Sequence, residues 1–82
     1  MIIDYLFTDK DFSRLGISAT TRFGKAHHRN RFKRRIREIF RKNTHLFSKH
    51  LDINIRPTPL AKKATYFELE EEYLSLLKKC IK

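Results

Sequence analysis

Eighty-two residues are enough for one domain with a thin core, because a chain of this size buries only about 60–65% of the surface it exposes when unfolded. With 40% hydrophobic and 12% aromatic residues but two Gly and two Pro, the composition excludes a disordered or low-complexity tail. The net charge of +10 calls for a polyanionic partner, nucleic acid or an anionic membrane surface, without choosing between them.

In chain order, Ile2–Phe7 (IIDYLF) is rich in β-branched and aromatic residues and reads as a strand. Thr8–Asp11 (TDKD) has turn composition, so a hairpin to the next strand is expected. That strand, Arg14–Phe23, alternates: Leu15, Ile17, Ala19 and Phe23 fall on one face, Thr21 breaking the set. The second face, Arg14, Gly16, Ser18, Thr20 and Arg22, is small and polar. Gly24 ends the strand and a helix is predicted from Ala26 to Lys42, with Phe32, Ile36, Ile39 and Phe40 as one apolar stripe. Leu51–Pro57 alternates again, Leu51, Ile53 and Ile55 inward, until Pro57 and Pro59 open a loop. The last helix starts near Thr65 with the capping pattern Thr-x-x-Glu at Thr65 and Glu68. Acids at its start and Lys78, Lys79 and Lys82 at its end suit the helix dipole. Phe67, Leu69, Tyr73, Leu74, Leu76, Leu77, Cys80 and Ile81 are expected to form a broad packing face. The order β-β-α-β-α implies an α+β sandwich, a small sheet with helices packed against it, in a single domain over residues 1–82.

The charge is concentrated. Residues 1–64 hold sixteen Lys/Arg against five Asp/Glu, whereas residues 65–82 hold three against four. Between Arg29 and Arg41, seven of thirteen residues are basic, six of them Arg. At about 100° per residue, Arg29, Lys33, Arg37 and Arg41 step along one border of the apolar stripe. Arg31, Arg35 and Lys42 follow the other, and Arg34 lies opposite the core. Glu38 is the one acid among nine basic residues from Lys25 to Lys42, so i,i+4 pairs cannot neutralise the set. A solvated helix face usually mixes both signs, and a membrane-surface helix needs an exposed apolar face. Here that face is committed to a core. Phosphate binding fits better, because the guanidinium makes forked hydrogen bonds to phosphate oxygens. Asn30, taken alone, reads as a local backbone hydrogen bond or surface filler.

Other chemistry is thinly supported. His27 and His28 point about 100° apart on a helix, and His45, His50 and Cys80 are scattered, so no metal site is expected. The carboxylates offer no catalytic pair, and no Ser/His/Asp or Cys/His set stands out. One cysteine makes no internal disulfide, there is no apolar run of membrane length and no secretory pattern, so a cytoplasmic location without a membrane is expected. Tyr66, Phe67 and Tyr73 are expected to pack rather than stack on bases.

One run is specific: RLGIS, then RFGKA, then RNRFKRRIREIFR, followed by LDINIRP and FELEEEYLSLLKK. In this order the chain resembles the protein subunit of bacterial ribonuclease P. The signature Arg-Asn-Arg-x-Lys-Arg-x-x-Arg falls on Arg29, Asn30, Arg31, Lys33, Arg34 and Arg37 without a gap. The resemblance implies a ribosomal-protein-like fold with a left-handed crossover through the basic helix, against the usual rule for such units. It implies that Arg29, Asn30, Arg31, Lys33, Arg34, Arg37 and Arg41 bind the catalytic RNA. It also implies that a cleft at Tyr5, Ser18, Thr20, Arg22 and Lys25 takes the 5′ leader of precursor tRNA. The RNA, with Mg2+, would perform the endonucleolytic cut; the protein would be an accessory subunit with no catalytic residue, no cofactor of its own and no required protein partner. Family members usually carry a further helix and strand before the segment matching IIDYLF, so an N-terminally truncated form is expected; a basic pair is common in the family where this chain has Thr21-Arg22, so one cleft charge is expected to be absent. The competing reading is a basic RNA- or DNA-binding module of ribosomal-protein type, with no part in cleavage.

Overall fold

The computed structural model describes residues 1–46 and 50–80. The elements are β1 (Ile2–Phe7), β2 (Arg14–Ile17), α1 (Ala26–Lys42), a 3-10 turn (Thr44–Leu46), β3 (Leu51–Arg56), a second 3-10 turn (Pro59–Lys62) and α2 (Tyr66–Cys80). The α+β class and the element order are as the patterning predicts, and α1 has the predicted bounds.

The most regularly alternating strand occupies the middle of the sheet. The strand order is β1-β3-β2, with β1 antiparallel and β2 parallel to β3. The expected hairpin between β1 and β2 is therefore absent. Leu51, Ile53 and Ile55 are all buried, and a strand this apolar gains most by pairing on both edges. The segment 8–13 crosses the end of β3 instead of turning back beside β1. Two strand spacings are about 10 Å, well within reach of six residues. The crossing is pinned from both sides: Thr8 N–H donates to His50 O at 3.1 Å, and Leu51 N–H donates to Ser13 Oγ at 3.0 Å.

β2 is shorter than the alternation predicts. Ser18 N–H still donates to Ile55 O at 3.0 Å, after which the chain leaves the sheet. Its partner β3 stops at Arg56 because Pro57 has no N–H to offer the ladder. Residues 20–23 form a turn closed by Phe23 N–H on Thr20 O at 3.0 Å, which accounts for the misfit of Thr21. Phe23 is buried nonetheless, tilted against Phe32 with ring centroids 5.6 Å apart.

The inner sheet face and the two helices enclose one core. α1 contributes Phe32, Ile36 and Ile39, with Phe40 half-buried, and α2 contributes Leu69, Tyr73 and Leu77. The expected packing face of α2 is narrower than its apolar content. Phe67 is 74% exposed, because at about 100° per residue it lies roughly opposite the buried 69-73-77 stripe. Tyr66 is half-buried below Lys42, whose Nζ stands 5.8 Å from the ring centroid. Ile81, Lys82 and the Cys80 side chain lie outside the described positions. The capping box forms as predicted: Glu68 N–H donates to Thr65 Oγ1 at 3.2 Å, and Thr65 N–H donates to Glu68 Oε1 at 3.0 Å.

Asn43 joins the helices. Its Nδ2 donates to Ile39 O at 2.9 Å, ending α1, and to Glu70 Oε2 on α2 at 3.4 Å. Lys42 Nζ meets the same Glu70 oxygen at 3.2 Å. Asn43 is buried, and loss of its amide removes one donor from Ile39 O, which keeps the backbone N–H at position 43, and one from Glu70 Oε2, which keeps Lys42 Nζ. Asn43→Ala is expected to destabilise the fold by about 1–3 kcal/mol in urea unfolding. Tyr73 presents the opposite case: it is fully buried, and its hydroxyl has no hydrogen-bond partner among the described residues. Burial also drives its ionisation far above the usual phenol range. Tyr73→Phe is expected to be neutral or to stabilise by up to roughly 1–2 kcal/mol in the same assay; a loss of that size would mean the hydroxyl is satisfied.

Candidate nucleic-acid interface

α1 divides its cations into two groups. Arg35 is half-buried and donates Nη1 to Ala64 O at 3.1 Å. Lys42 pairs with Glu70, which raises the lysine's proton affinity. That border of the helix is therefore used in docking α2. Arg34, Arg37 and Arg41 on the outer side are exposed and, with Glu38, line an open groove of about 270 Å³. Asn30 and Arg31 are exposed, and Arg29 and Lys33 half-buried. Arg29 Nη1 reaches back to Gly24 O at 3.3 Å, and Arg31 Nη2 lies 3.4 Å from His28 Nδ1. The sequence-predicted set from Arg29 to Arg41 thus lies along one helix, away from the apolar stripe.

The outer sheet face is built from alternate residues. Register pairs Arg14 with Asp52 and Gly16 with Asn54 across β2 and β3, and Asp4 with Asn54 across β1 and β3. Arg14 grips Asp52 with two hydrogen bonds, Nε to Oδ1 at 2.9 Å and Nη2 to Oδ2 at 2.7 Å. This holds the Asp52 carboxyl below its ordinary range and the guanidinium above its own. Ser18 Oγ lies 3.3 Å from Asn54 Oδ1. Gly16 has room for no more than this, since a Cβ there would stand 3.1 Å from the same oxygen.

Beyond the end of β2, Ser18, Thr20 and Arg22 line one groove of about 240 Å³ with Ile2, Phe23, Arg56, Pro57 and Pro59. Three of the five predicted cleft residues therefore share a wall. Tyr5 does not join them. Its register partner is Ile53, so it shares the inner face, where its ring meets Phe7 edge-on at 5.7 Å. Lys25 sits at the N-cap of α1 and is exposed. Arg56, which Asp4 holds at 3.2 Å, is a groove residue outside the predicted set. The alternation along Leu51–Pro57 already points it outward, and that signal was available.

The rings of His27 and His28 lie closer than their helical separation suggests, 4.0 Å between centroids. Desolvation first, then the charges of His27, Arg31, Lys62 and Lys25, lower the proton affinity of His28. Among the described residues, no three His, Cys, Asp or Glu side chains are placed to share a metal ion, and no helix is long and apolar enough to cross a membrane. Because the unfolded chain binds the His28 proton more readily, stability is expected to rise with pH up to about the ordinary imidazole value of 6.5. Thermal melts between about pH 5.5 and 7 should show that rise in the wild type and a flatter profile in His28→Gln. Identical profiles would assign the slope to other groups.

Comparison with known proteins places the sequence and the fold in a family. The family model described as Ribonuclease P matches residues 1–81. The ribonuclease P protein component of Finegoldia magna is 39% identical over 74 residues, covering 90% of this chain and 66% of that protein. The Thermotoga maritima component is 40% identical over 73 residues, covering 84% and 62%. The solved structure of the Thermotoga maritima RNase P protein superposes with a TM-score of 0.84 at 36% identity, over 94% of this chain and 74% of that one. The Staphylococcus aureus RNase P protein does so with 0.80 at 30% identity, over 95% and 72%. The chain spans 62–66% of the length of these curated relatives. It belongs to the ribonuclease P protein family.

Proposed function

From that membership we propose that the chain acts as the protein subunit of ribonuclease P, in a tRNA-processing endonuclease whose RNA partner it holds through the exposed side of α1. The observation that carries the reading is the cationic face formed by Arg29, Arg31, Lys33, Arg34, Arg37 and Arg41, with Asn30 among them and Glu38 as its single acid. A folded RNA presents closely spaced phosphates, and each one neutralised releases counterions, so affinity comes from this face without base recognition. The groove at Ser18, Thr20, Arg22 and Arg56 is suited to the single-stranded 5′ leader of precursor tRNA: two hydroxyls for phosphate oxygens, two guanidiniums for charge, and a narrow wall. Lys25 continues that charge toward α1, whereas Tyr5, on the other sheet face, is left out of the proposed groove.

On this reading the protein's side chains bind and orient both RNAs and none breaks the phosphodiester bond. Mg2+ belongs to the RNA, where it would activate water and stabilise the leaving oxygen. The protein's positive surface lowers the repulsion between the two polyanions, an effect that matters most when divalent ions are scarce.

Reconstitution tests this. With a bacterial ribonuclease P RNA and precursor tRNA at low magnesium, the chain is expected to raise cleavage above that of RNA alone. Binding to the RNA should fall with salt at a slope of about −3.5 to −4.5 in log–log form if about five side chains neutralise phosphates. Arg34→Ala should weaken binding and leave the melting temperature unchanged, since Arg34 is exposed opposite the core. Binding without any gain in cleavage would remove the subunit role, and a flat salt dependence would remove the phosphate contacts.

A further inference from the structure

Gly24 is not required by its backbone angles, because no glycine in the described residues has positive φ. What it does is leave room for a neighbour. A Cβ at Gly24 would stand 2.7 Å from Lys62 Cε and 3.3 Å from both Lys62 Nζ and His28 Cβ. The second 3-10 turn thus lays Lys62 across the glycine and against the start of α1. The lysine's Nζ lies 6.0 Å from the Phe23 ring centroid, a contact that steadies it there. Phe23, His28, Arg31, Phe32, Arg35 and Lys62 all border the same small crevice. The charged groups acting on the His28 ring are His27, Arg31, Lys62 and Lys25, with no carboxylate among them.

Cations brought together from two elements, with no acid between them, repel one another. Arg14, Lys42 and Arg56 each have a carboxylate beside them, from Asp52, Glu70 and Asp4. At this locus, as along most of the outer side of α1, the described contacts include no carboxylate, and an anion from outside would relieve the repulsion. We infer that the phosphate-binding surface extends beyond α1 to this locus, where Lys62, seated over Gly24, joins Lys25, His28 and Arg31 in holding an RNA backbone phosphate. The inference rests on the RNA-binding reading and adds to it a second element of the chain, the turn at Pro59–Lys62, and a role for Gly24.

The test uses the full chain and a bacterial ribonuclease P RNA, with affinity measured across a salt series. Lys62→Met keeps the aliphatic stem and removes the charge. It is expected to weaken binding by roughly three- to tenfold and to make the salt slope shallower by about 0.7–0.9, with an unchanged melting temperature. Lys62→Arg, which keeps the charge, should retain affinity; a merely structural role for the lysine stem predicts no loss in the Met variant. Gly24→Ala displaces the flexible end of Lys62 and should cause a similar loss. The double variant Gly24→Ala, Lys62→Met should bind no worse than Lys62→Met alone. Full affinity and slope in Lys62→Met, with Arg34→Ala weakened, would overturn this locus and leave the RNA-binding reading standing. If Arg34→Ala also bound normally, both would fall. Additive losses in the double variant would overturn the coupling of Gly24 to Lys62.

Discussion

Everything in this small fold is arranged around the burial of β3. Leu51, Ile53 and Ile55 point to one side and are almost wholly removed from water, and each such side chain contributes about 1.5–3 kcal/mol when fully buried. A chain with a thin core cannot leave that row at a sheet edge. β3 therefore takes the centre, β1 and β2 take the edges, and both helices lie on its inner side. The connection from β2 through α1 to β3 joins two parallel neighbours, so the basic helix is forced onto the same side as the core. Its apolar stripe faces inward and its charge faces out, without any need for the charges themselves to favour that arrangement.

The outward charge is then sorted by what α2 needs. The border of α1 next to α2 carries Arg35 and Lys42, and both are consumed by contacts to Ala64 and Glu70. Asn43 completes the joint by serving the end of one helix and the carboxylate of the other. Of the remaining cations, Arg34, Arg37 and Arg41 share the open groove with the single acid Glu38. A dense positive face is tolerable because the stabilising contacts sit on a different border from the exposed charges. Affinity for a polyanion and cohesion of the fold are thus separable, residue by residue.

Periodicity exposed most of this in the sequence. The Phe32, Ile36 and Ile39 spacing marks the stripe of α1, and the Thr65–Glu68 pair marks the start of α2. Strand pairing was less legible. The composition of Thr8–Asp11 suits a turn whether the chain doubles back or crosses a third strand, and only the burial of β3 decides between the two. Phe67 misled because hydrophobicity alone does not say which side of a helix meets the core. Tyr5 stands on the other sheet face from Gly16 and Arg14 for the matching reason in a strand, where one step of register changes the face. The recognised signature marks the residues of α1 by type and spacing. It carries no information about Lys62, thirty-eight residues beyond Gly24 by chain position yet seated on it.

Pro57 links the sheet to the groove. Lacking an N–H, it ends β3 as a hydrogen-bonding partner, and β2 therefore loses its ladder after Ser18. Freed from the sheet, residues 20–23 turn inward, which lets Phe23 reach Phe32 and sets the chain on course for Lys25 and α1. The space left between the departing segment and the end of β3 is the groove of Ser18, Thr20, Arg22 and Arg56. A longer β2, paired to Phe23 as its alternation suggests, would fill that space with backbone and point Thr20 and Arg22 along a flat sheet. The groove and the position of the basic helix therefore share one cause. A single missing donor opens a polar cleft at the sheet's end and delivers the chain, within a few residues, to the start of its most highly charged element.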